Sequence, residues 1–286
     1  MITLGVVGAI ALFSLMFILL TGTLGRARFR SRVAVEVCTL FSGAAEASVG
    51  PEQFSTRYDG LPQPVRRYLH YAISIKAPAI RTARLKHEGF FRTKPGQNWL
   101  PITGEEYFTV AVPGFMWNAT VRPAPLLWIE ARDLLQAGRG NMLVKINSAV
   151  TIADAKGPEL DQGASLRWLV EAIWFPYAFV GDLVRWEPVD DNSARATLVQ
   201  PGLPVAATFE INNEGKLTNM WSDRYRDLGR GQSVLTPWFA KCSEYRTFNG
   251  FRVPTAVDVA WEIDQQRFSY ARFQVTTLEY NVADRF

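Results

Sequence analysis

The sequence predicts a mainly β, α+β protein: a large curved antiparallel sheet with one inserted buried helix, preceded by an N-terminal transmembrane helix. Three observations predict it. Residues 2–24 form an uncharged apolar run; from Arg81 onward apolar residues alternate with period two between short turn signals; and the segment Leu160 to Phe175 breaks that alternation with apolar residues at helical spacing.

The run from Ile2 to Leu24 has 23 residues and no charge. At about 1.5 Å per helical residue it reaches roughly 34 Å, enough for the ~30 Å hydrocarbon core of a bilayer. A cleaved secretory signal places basic residues before a shorter apolar run and a small-residue site after it. Here nothing basic precedes the run and Gly25-Arg26 follows. Val35-Glu36-Val37 ahead of Cys38 does not suit lipid attachment either. Arg26, Arg28, Arg30 and Arg32 come next, so the positive-inside rule predicts a single-pass protein of the cell's inner membrane with its globular part facing the cytoplasm. Basic side chains beside an anionic leaflet add on the order of 1 kcal/mol each to that adhesion.

The same arginines account for the basic balance of the chain, whose isoelectric point is near 9.1. Of 31 basic residues, 27 remain when the four are set aside, against 27 acidic residues. A neutral domain argues against a nucleic-acid partner. Two cysteines are too few for a disulfide framework or a thiolate metal site, and Cys38 and Cys242 read as plain buried thiols. Two histidines, His70 and His87, give a serine triad or a histidine metal cluster almost no material. Gly138-Arg139-Gly140 lacks the further glycine of a nucleotide loop and reads as a hairpin turn. No cofactor and no metal are expected.

Three regions follow: a transmembrane helix over 1–25, a basic juxtamembrane helix and linker over 26–60, and a single β-rich domain over 61–286. In the second region Phe29, Val33, Val37, Leu40 and Phe41 recur at helical spacing, so the anchor helix continues until Ser42-Gly43 ends it. In the third, Pro62 and Pro64 suit the first turn of a short helix whose stripe is Val65, Tyr68, Leu69, Ala72 and Ile73. Strands are predicted over Ala83 to Arg92, Glu105 to Val112, Phe115 to Arg122, Leu127 to Leu135 and Asn141 to Ile152. After the helix come Val184 to Val189, Ala194 to Val199, Val205 to Asn212, Lys216 to Arg226, Trp238 to Phe248, Val253 to Ile263 and Phe268 to Asn281. Tight links such as Val112-Pro113-Gly114 and Asn213-Glu214-Gly215 make antiparallel hairpins the economical pairing.

The helix of Leu160 to Phe175 is the most informative element. Leu166, Leu169, Val170, Ile173 and Trp174 make one apolar face, and Trp168, Ala172 and Phe175 make nearly the opposite face apolar too, which predicts burial on both sides. Arg167 and Glu171, four residues apart, break that circumference. They are either a structural ion pair or the polar feature of a pocket, because a buried charge without a partner is costly. Elsewhere Glu105, Glu106, Asp133, Asp190, Asp223 and Glu262 are the plentiful acid and base candidates. Nine tryptophans, 18 phenylalanines and nine tyrosines supply ordinary core, and also the lining for an apolar concavity where a twisted sheet wraps a helix.

The segments Leu61-Pro62-Gln63-Pro64-Val65-Arg66-Arg67-Tyr68, Pro113-Gly114-Phe115-Met116-Trp117, Glu171-Ala172-Ile173-Trp174-Phe175-Pro176 and Leu278-Glu279-Tyr280-Asn281 resemble a bacterial family of membrane-anchored proteins of unknown function. The resemblance runs from the anchor to the C-terminal segment and implies no assigned activity. The order of strands around an inserted helix is similar to the lipoprotein-carrier half-barrels, whose curved sheet holds an acyl chain against a helical lid. The expected function is a membrane-anchored module that binds a lipid or other apolar small-molecule ligand, with Trp117, Arg167, Trp168, Glu171 and Phe175 as candidate ligand-binding residues. The alternatives are an enzyme acting through carboxylates on a membrane-derived substrate, and an interaction scaffold of a membrane complex.

Overall fold

Period-two alternation from residue 82 onward is satisfied by one antiparallel sheet. The computed structural model describes residues 2–44, 48–229 and 231–286; in the first helix the side chains of residues 2–15 and 17–20 lie outside the description. The strands are β1 (Thr82–Phe91), β2 (Leu100–Thr109), β3 (Gly114–Ala124), β4 (Leu127–Gln136), β5 (Arg139–Ile146) and β6 (Val150–Ala155). The second set is β7 (Val184–Pro188), β8 (Ser193–Leu198), β9 (Ala206–Ile211), β10 (Leu217–Gly229), β11 (Gln232–Phe248), β12 (Phe251–Ile263) and β13 (Gln266–Tyr280). Their spatial order is β6-β5-β4-β3-β2-β1-β13-β12-β11-β10-β9-β8-β7. Two meanders therefore meet along one seam, where β1 pairs with β13 from Ala83↔Tyr280 to Phe91↔Ala271.

Two predicted elements are corrected. The single strand over Asn141 to Ile152 is two strands, because Asn147 and Ser148 both take positive φ (48° and 57°) and reverse the chain as a tight hairpin. The Asn147 side chain fixes that turn by accepting the Trp128 backbone N–H at 3.0 Å. The linker to Gly60 contains a helix, α2 (Pro51–Arg57), whose first turn starts on Pro51 and is closed by the Gln53 side chain accepting the Gly50 N–H.

Three further helices frame the sheet. Helix α1 (Ile2–Ser42) is continuous, and its second half lies on the outer face of the sheet. There Phe29, Val33, Val37, Leu40 and Phe41 are buried against Tyr107, Met116 and Leu143. The expectation of two buried thiols holds for Cys242, while Cys38 proves exposed on α1. Polar bonds fix the same contact: Glu36 accepts from the buried Arg132 of β4 and from Arg32, both at 3.0 Å, and Arg26 reaches Glu130 at 3.4 Å. Most side chains of the Ile2–Leu24 run fall outside the described residues, and among the described residues no helix is long and apolar enough to cross a membrane.

Helix α3 (Gln63–Ala72) buries Pro64, Val65, Tyr68, Leu69 and Ala72, as its predicted stripe requires. Helix α4 (Pro158–Glu171) starts on a proline with Glu159 and Asp161 in the dipole-favoured first turn, then continues as 3-10 turns over Ala172–Trp174 and Pro176–Val180. It links the two edge strands, β6 and β7, by crossing the inner face, where it packs on β3, β4 and β5 from one side and β8, β9 and β10 from the other. Between Gln162 and Val180 every residue except Arg167 and Glu171 is buried.

Candidate functional site

A polar row crosses the inner face of the sheet. Glu106 of β2, Trp117 of β3 and Asp133 of β4 are direct cross-strand partners, so their side chains stand abreast on the face that α4 covers. Arg167 of α4 descends onto this row. Its Nη2 donates to Glu106 at 2.7 Å, its Nη1 to Asp133 at 3.1 Å and its Nε to Glu171 at 2.7 Å. The guanidinium also lies over the rings of Trp117 and Phe115, 4.7 and 5.0 Å from their centroids. One cation thus faces three carboxyl groups, of which Glu106 and Asp133 are almost wholly buried.

Two of the three carboxyl groups are shifted upward. Burial pushes the Glu106 carboxyl well above the usual range; Arg167 opposes this, while the neighbouring carboxylates of Glu171 and Asp133 reinforce it. Glu171 is raised as well, again chiefly by burial, with Arg167 opposing the shift. The stronger upward push falls on Glu106, which has two carboxylate neighbours around one cation. Arg167 stays charged, since its three carboxyl neighbours outweigh the cost of burial.

Next along the face, Trp117 donates its indole N–H to His87 Nε2 at 2.8 Å. The His87 ring lies across Gly104, where a Cβ would come within 2.4 Å of Nε2, so a glycine is required for this approach. Burial, helped by the Arg167 charge, holds His87 down to about 3, and the imidazole is neutral. Its far edge meets Phe273 with centroids 4.7 Å apart.

Exposure along the inner face grades from one end to the other. Leu85, Phe108, Phe115 and Leu135 are fully buried at the end that α4 covers. Phe91, Leu100, Ile129, Trp261, Tyr270 and Phe273 are half-buried at the other end, although they face the same core. Several of these aromatics form one lining: Trp261 stacks on Tyr270 at 5.7 Å, Phe91 meets Tyr270 edge-on at 6.3 Å, and Trp238 donates to the Tyr270 hydroxyl at 3.1 Å. Half-buried aromatics thus wall that end of the inner face, with the Arg167 cluster deeper along it as a floor. Two clefts, of about 760 and 650 Å³, lie apart from it, beside α3 and beneath α1.

Of the residues singled out by sequence, Arg167, Glu171 and Trp117 come together on the floor. Trp168 and Phe175 do not join them: they are 1% and 0% exposed and pack on each other with centroids 5.7 Å apart. The Trp168 indole is satisfied by the Thr109 carbonyl at 2.8 Å. Glu106 and Asp133 belong to the cluster, whereas Glu105 faces outward and accepts from the Tyr107 hydroxyl. Sequence reasoning assigned His87 no role, yet it, Glu106 and Asp133 each interrupt the apolar phase of an alternating strand: Leu85-His87, Glu106-Phe108, Asp133-Leu135.

The four segments that carried the family resemblance converge beneath α4. Tyr68 donates to the Ile173 carbonyl at 3.2 Å and Tyr280 to that of Trp174 at 2.7 Å, while Trp117 holds Arg167 one turn away.

Similar folds occur among solved structures. A LolA superfamily protein from Nitrosomonas europaea is 10% identical, covers 76% of this chain and 94% of its own, and superposes with a TM-score of 0.41. A DUF1329 family protein from Desulfovibrio piger is 14% identical, with coverage of 80% and 93% and a TM-score of 0.43. An outer membrane lipoprotein-sorting protein domain from Vibrio parahaemolyticus is 5% identical, with coverage of 80% and 91% and a TM-score of 0.37. No curated protein matches the sequence. The model of a family of unknown function, DUF6544, matches residues 52–273, most of the globular region, and the chain belongs to that family.

Proposed function

We propose that the protein is a membrane-anchored module that binds a lipid or other apolar ligand in the aromatic-lined concavity. The observation that supports it is the grading of the inner face, which leaves Phe91, Trp261, Tyr270 and Phe273 half-buried on the same surface as a fully buried core. Aromatic side chains that face a core without being covered are the usual walls of an apolar site. The floor suits binding rather than turnover, because every nitrogen of Arg167 is already engaged by this chain's own carboxyl groups. Anchoring rests on the uncharged run Ile2–Leu24, and a cytoplasmic orientation on the four arginines behind it.

Native mass spectrometry of the full chain released from detergent tests this reading. An apolar molecule bound to the wild type and lost on Trp261→Ala with Tyr270→Ala supports it; an empty wild-type protein refutes it. A C-terminal alkaline phosphatase fusion reports orientation and is expected to be silent. A second reading, an enzyme acting on a membrane-derived substrate, draws support from the upward-shifted carboxyl groups of Glu106 and Glu171 that converge on Arg167. Glu106→Gln separates the two, since ligand occupancy survives that change under the first reading and turnover does not under the second.

A further inference from the structure

We infer that the open end of the concavity is seated on the bilayer, so that its ligand is a membrane lipid drawn directly from the leaflet that α1 enters. The inference rests on the ligand-binding reading and adds where the ligand comes from and how it gains entry.

The first support is the place where α1 leaves the sheet. Gly22 lies against the Trp128 ring, and at Gly25 an added Cβ would sit 2.7 Å from the Ser148 carbonyl oxygen. Both neighbours stand at strand tips: Trp128 begins β4, and Ser148 is in the β5–β6 turn. The last residues of the uncharged run are therefore level with those tips, and the helical residues ahead of Gly22 extend about 30 Å beyond the sheet. A bilayer threaded by that stretch has its surface at the tips. Trp128 itself, with Arg26 over its ring at 5.1 Å, is the type of side chain found at membrane–water boundaries.

The second support is that the half-buried aromatics of the inner face lie at this same end. Antiparallel register places Phe91, Leu100, Ile129, Ile146, Ile263 and the start of β13 together there, and the half-buried inner residues are the ones nearest to it. The third is what stands on the rim. Phe90 (51% exposed), Leu126 (63%), Val150 (61%), Leu228 (53%), Val234 (40%) and Leu235 (51%) come from four hairpins that surround the opening. At the opposite end Ile75, Val112 and Val189 are exposed, each alone in a different connection between elements. Exposed apolar side chains gathered on the tips of successive hairpins match an interfacial membrane contact, where each gains from the acyl boundary. With the rim in the headgroup layer, an acyl chain passes from leaflet to aromatic wall without crossing water.

The test uses the full chain in vesicles of phosphatidylcholine and phosphatidylglycerol, with the exposed Cys38 changed to serine and Cys242 left buried. A fluorescent NBD label is placed at Leu126→Cys, Leu228→Cys or Leu235→Cys, with Ile75→Cys as the control. Rim labels are expected to shift to the blue and be quenched by doxyl lipids, and the Ile75 label to behave as in water. Rim labels that match Ile75 overturn the inference. Native mass spectrometry on the same preparations keeps the two ideas apart: bound lipid with a wet rim sinks the docking and leaves the binding reading. A quenched rim with no bound lipid sinks the binding reading, and the uptake route with it. Leu228→Asp with Leu235→Asp, both exposed and so neutral for folding, is expected to slow uptake of a fluorescent lipid from vesicles severalfold while leaving uptake from detergent unchanged. Equal vesicle rates overturn the route.

Discussion

Arg167 of α4 and Glu106 of β2 meet at 2.7 Å where the crossing helix touches the floor of the sheet, and Asp133 and Glu171 complete the ring around the guanidinium. The helix is thereby tied at a point where neither partner can move without exposing a charge to apolar surroundings. Such a tie orients α4 more than it stabilises it, because burying ions costs much of what their pairing returns.

Removing one side of that tie is expected to be severe. Arg167→Leu leaves three carboxyl groups facing one another and should lower unfolding free energy by about 3–5 kcal/mol, read from urea denaturation. Glu106→Gln should stay within about 1 kcal/mol at neutral pH, because the amide keeps a donor for Glu171 and an acceptor for Arg167. A large loss in the second variant would mean that Glu106 is ionised.

The same group has a pH signature. The native Glu106 carboxyl is shifted upward from its value in the unfolded chain, chiefly by burial, so the contribution of this group is complete at acidic pH and declines as pH rises through its elevated native value. Denaturation midpoints measured from pH 5 to pH 8 should show Glu106→Gln gaining on the wild type as pH rises.

His87 has the opposite sign. The folded protein keeps it neutral down to about 3, whereas the unfolded chain protonates it near 6.5, so its contribution is complete above 6.5 and is lost on acidification towards 3. The slope reaches at most about 1.4 kcal/mol per pH unit. His87→Gln, which keeps an acceptor for Trp117, should remove that slope between pH 6.5 and 5, and an unchanged slope would place the titration elsewhere.

Trp168 is core and Trp261 is wall, and the two should respond differently. Trp168→Ala opens a cavity in a fully covered site and should cost about 3–5 kcal/mol in denaturation. Trp261→Ala, at a half-buried position, should cost less and instead reduce lipid occupancy in native mass spectrometry.

The outer face offers a further comparison. Arg132 is 1% exposed and relies on Glu36 of α1. Glu36→Ala leaves it buried without its counter-ion, so stability should fall by about 3–5 kcal/mol. Hydrogen exchange in residues 30–42 should quicken as α1 lifts from the sheet, and unchanged exchange would mean that the apolar contact alone holds the helix.

The elements were largely legible because period two and period 3.6 are properties of local sequence: the α3 stripe and eleven hairpin-linked strands need no tertiary information to be seen. The Asn147-Ser148 turn escaped because neither residue is glycine, and positive φ at non-glycine positions leaves little compositional trace. The start of β2 was masked by Pro101 and Gly104, residues that ordinarily weaken a strand, although Gly104 is there to admit His87. Arg167 and Glu171 stood out on an apolar helix. Glu106 and Asp133, 61 and 34 residues from Arg167, did not, since only the strand register reveals that they stand abreast of Trp117.

The seam between β1 and β13 sets a timetable for synthesis. β1 leaves the ribosome early, but one of its two neighbours does not exist until the chain has been made as far as Tyr280. Until then the nascent protein is two separate meanders, each with a bare central edge, β1 in one and β12 in the other, on which Leu85 and Val259 await partners. Closing so distant a pairing is slow, and an unpaired edge recruits other chains. A ribosome that stalls or terminates before β13 therefore yields no smaller working version of the sheet but an adhesive intermediate, and the yield of folded protein depends on how long that edge is shielded.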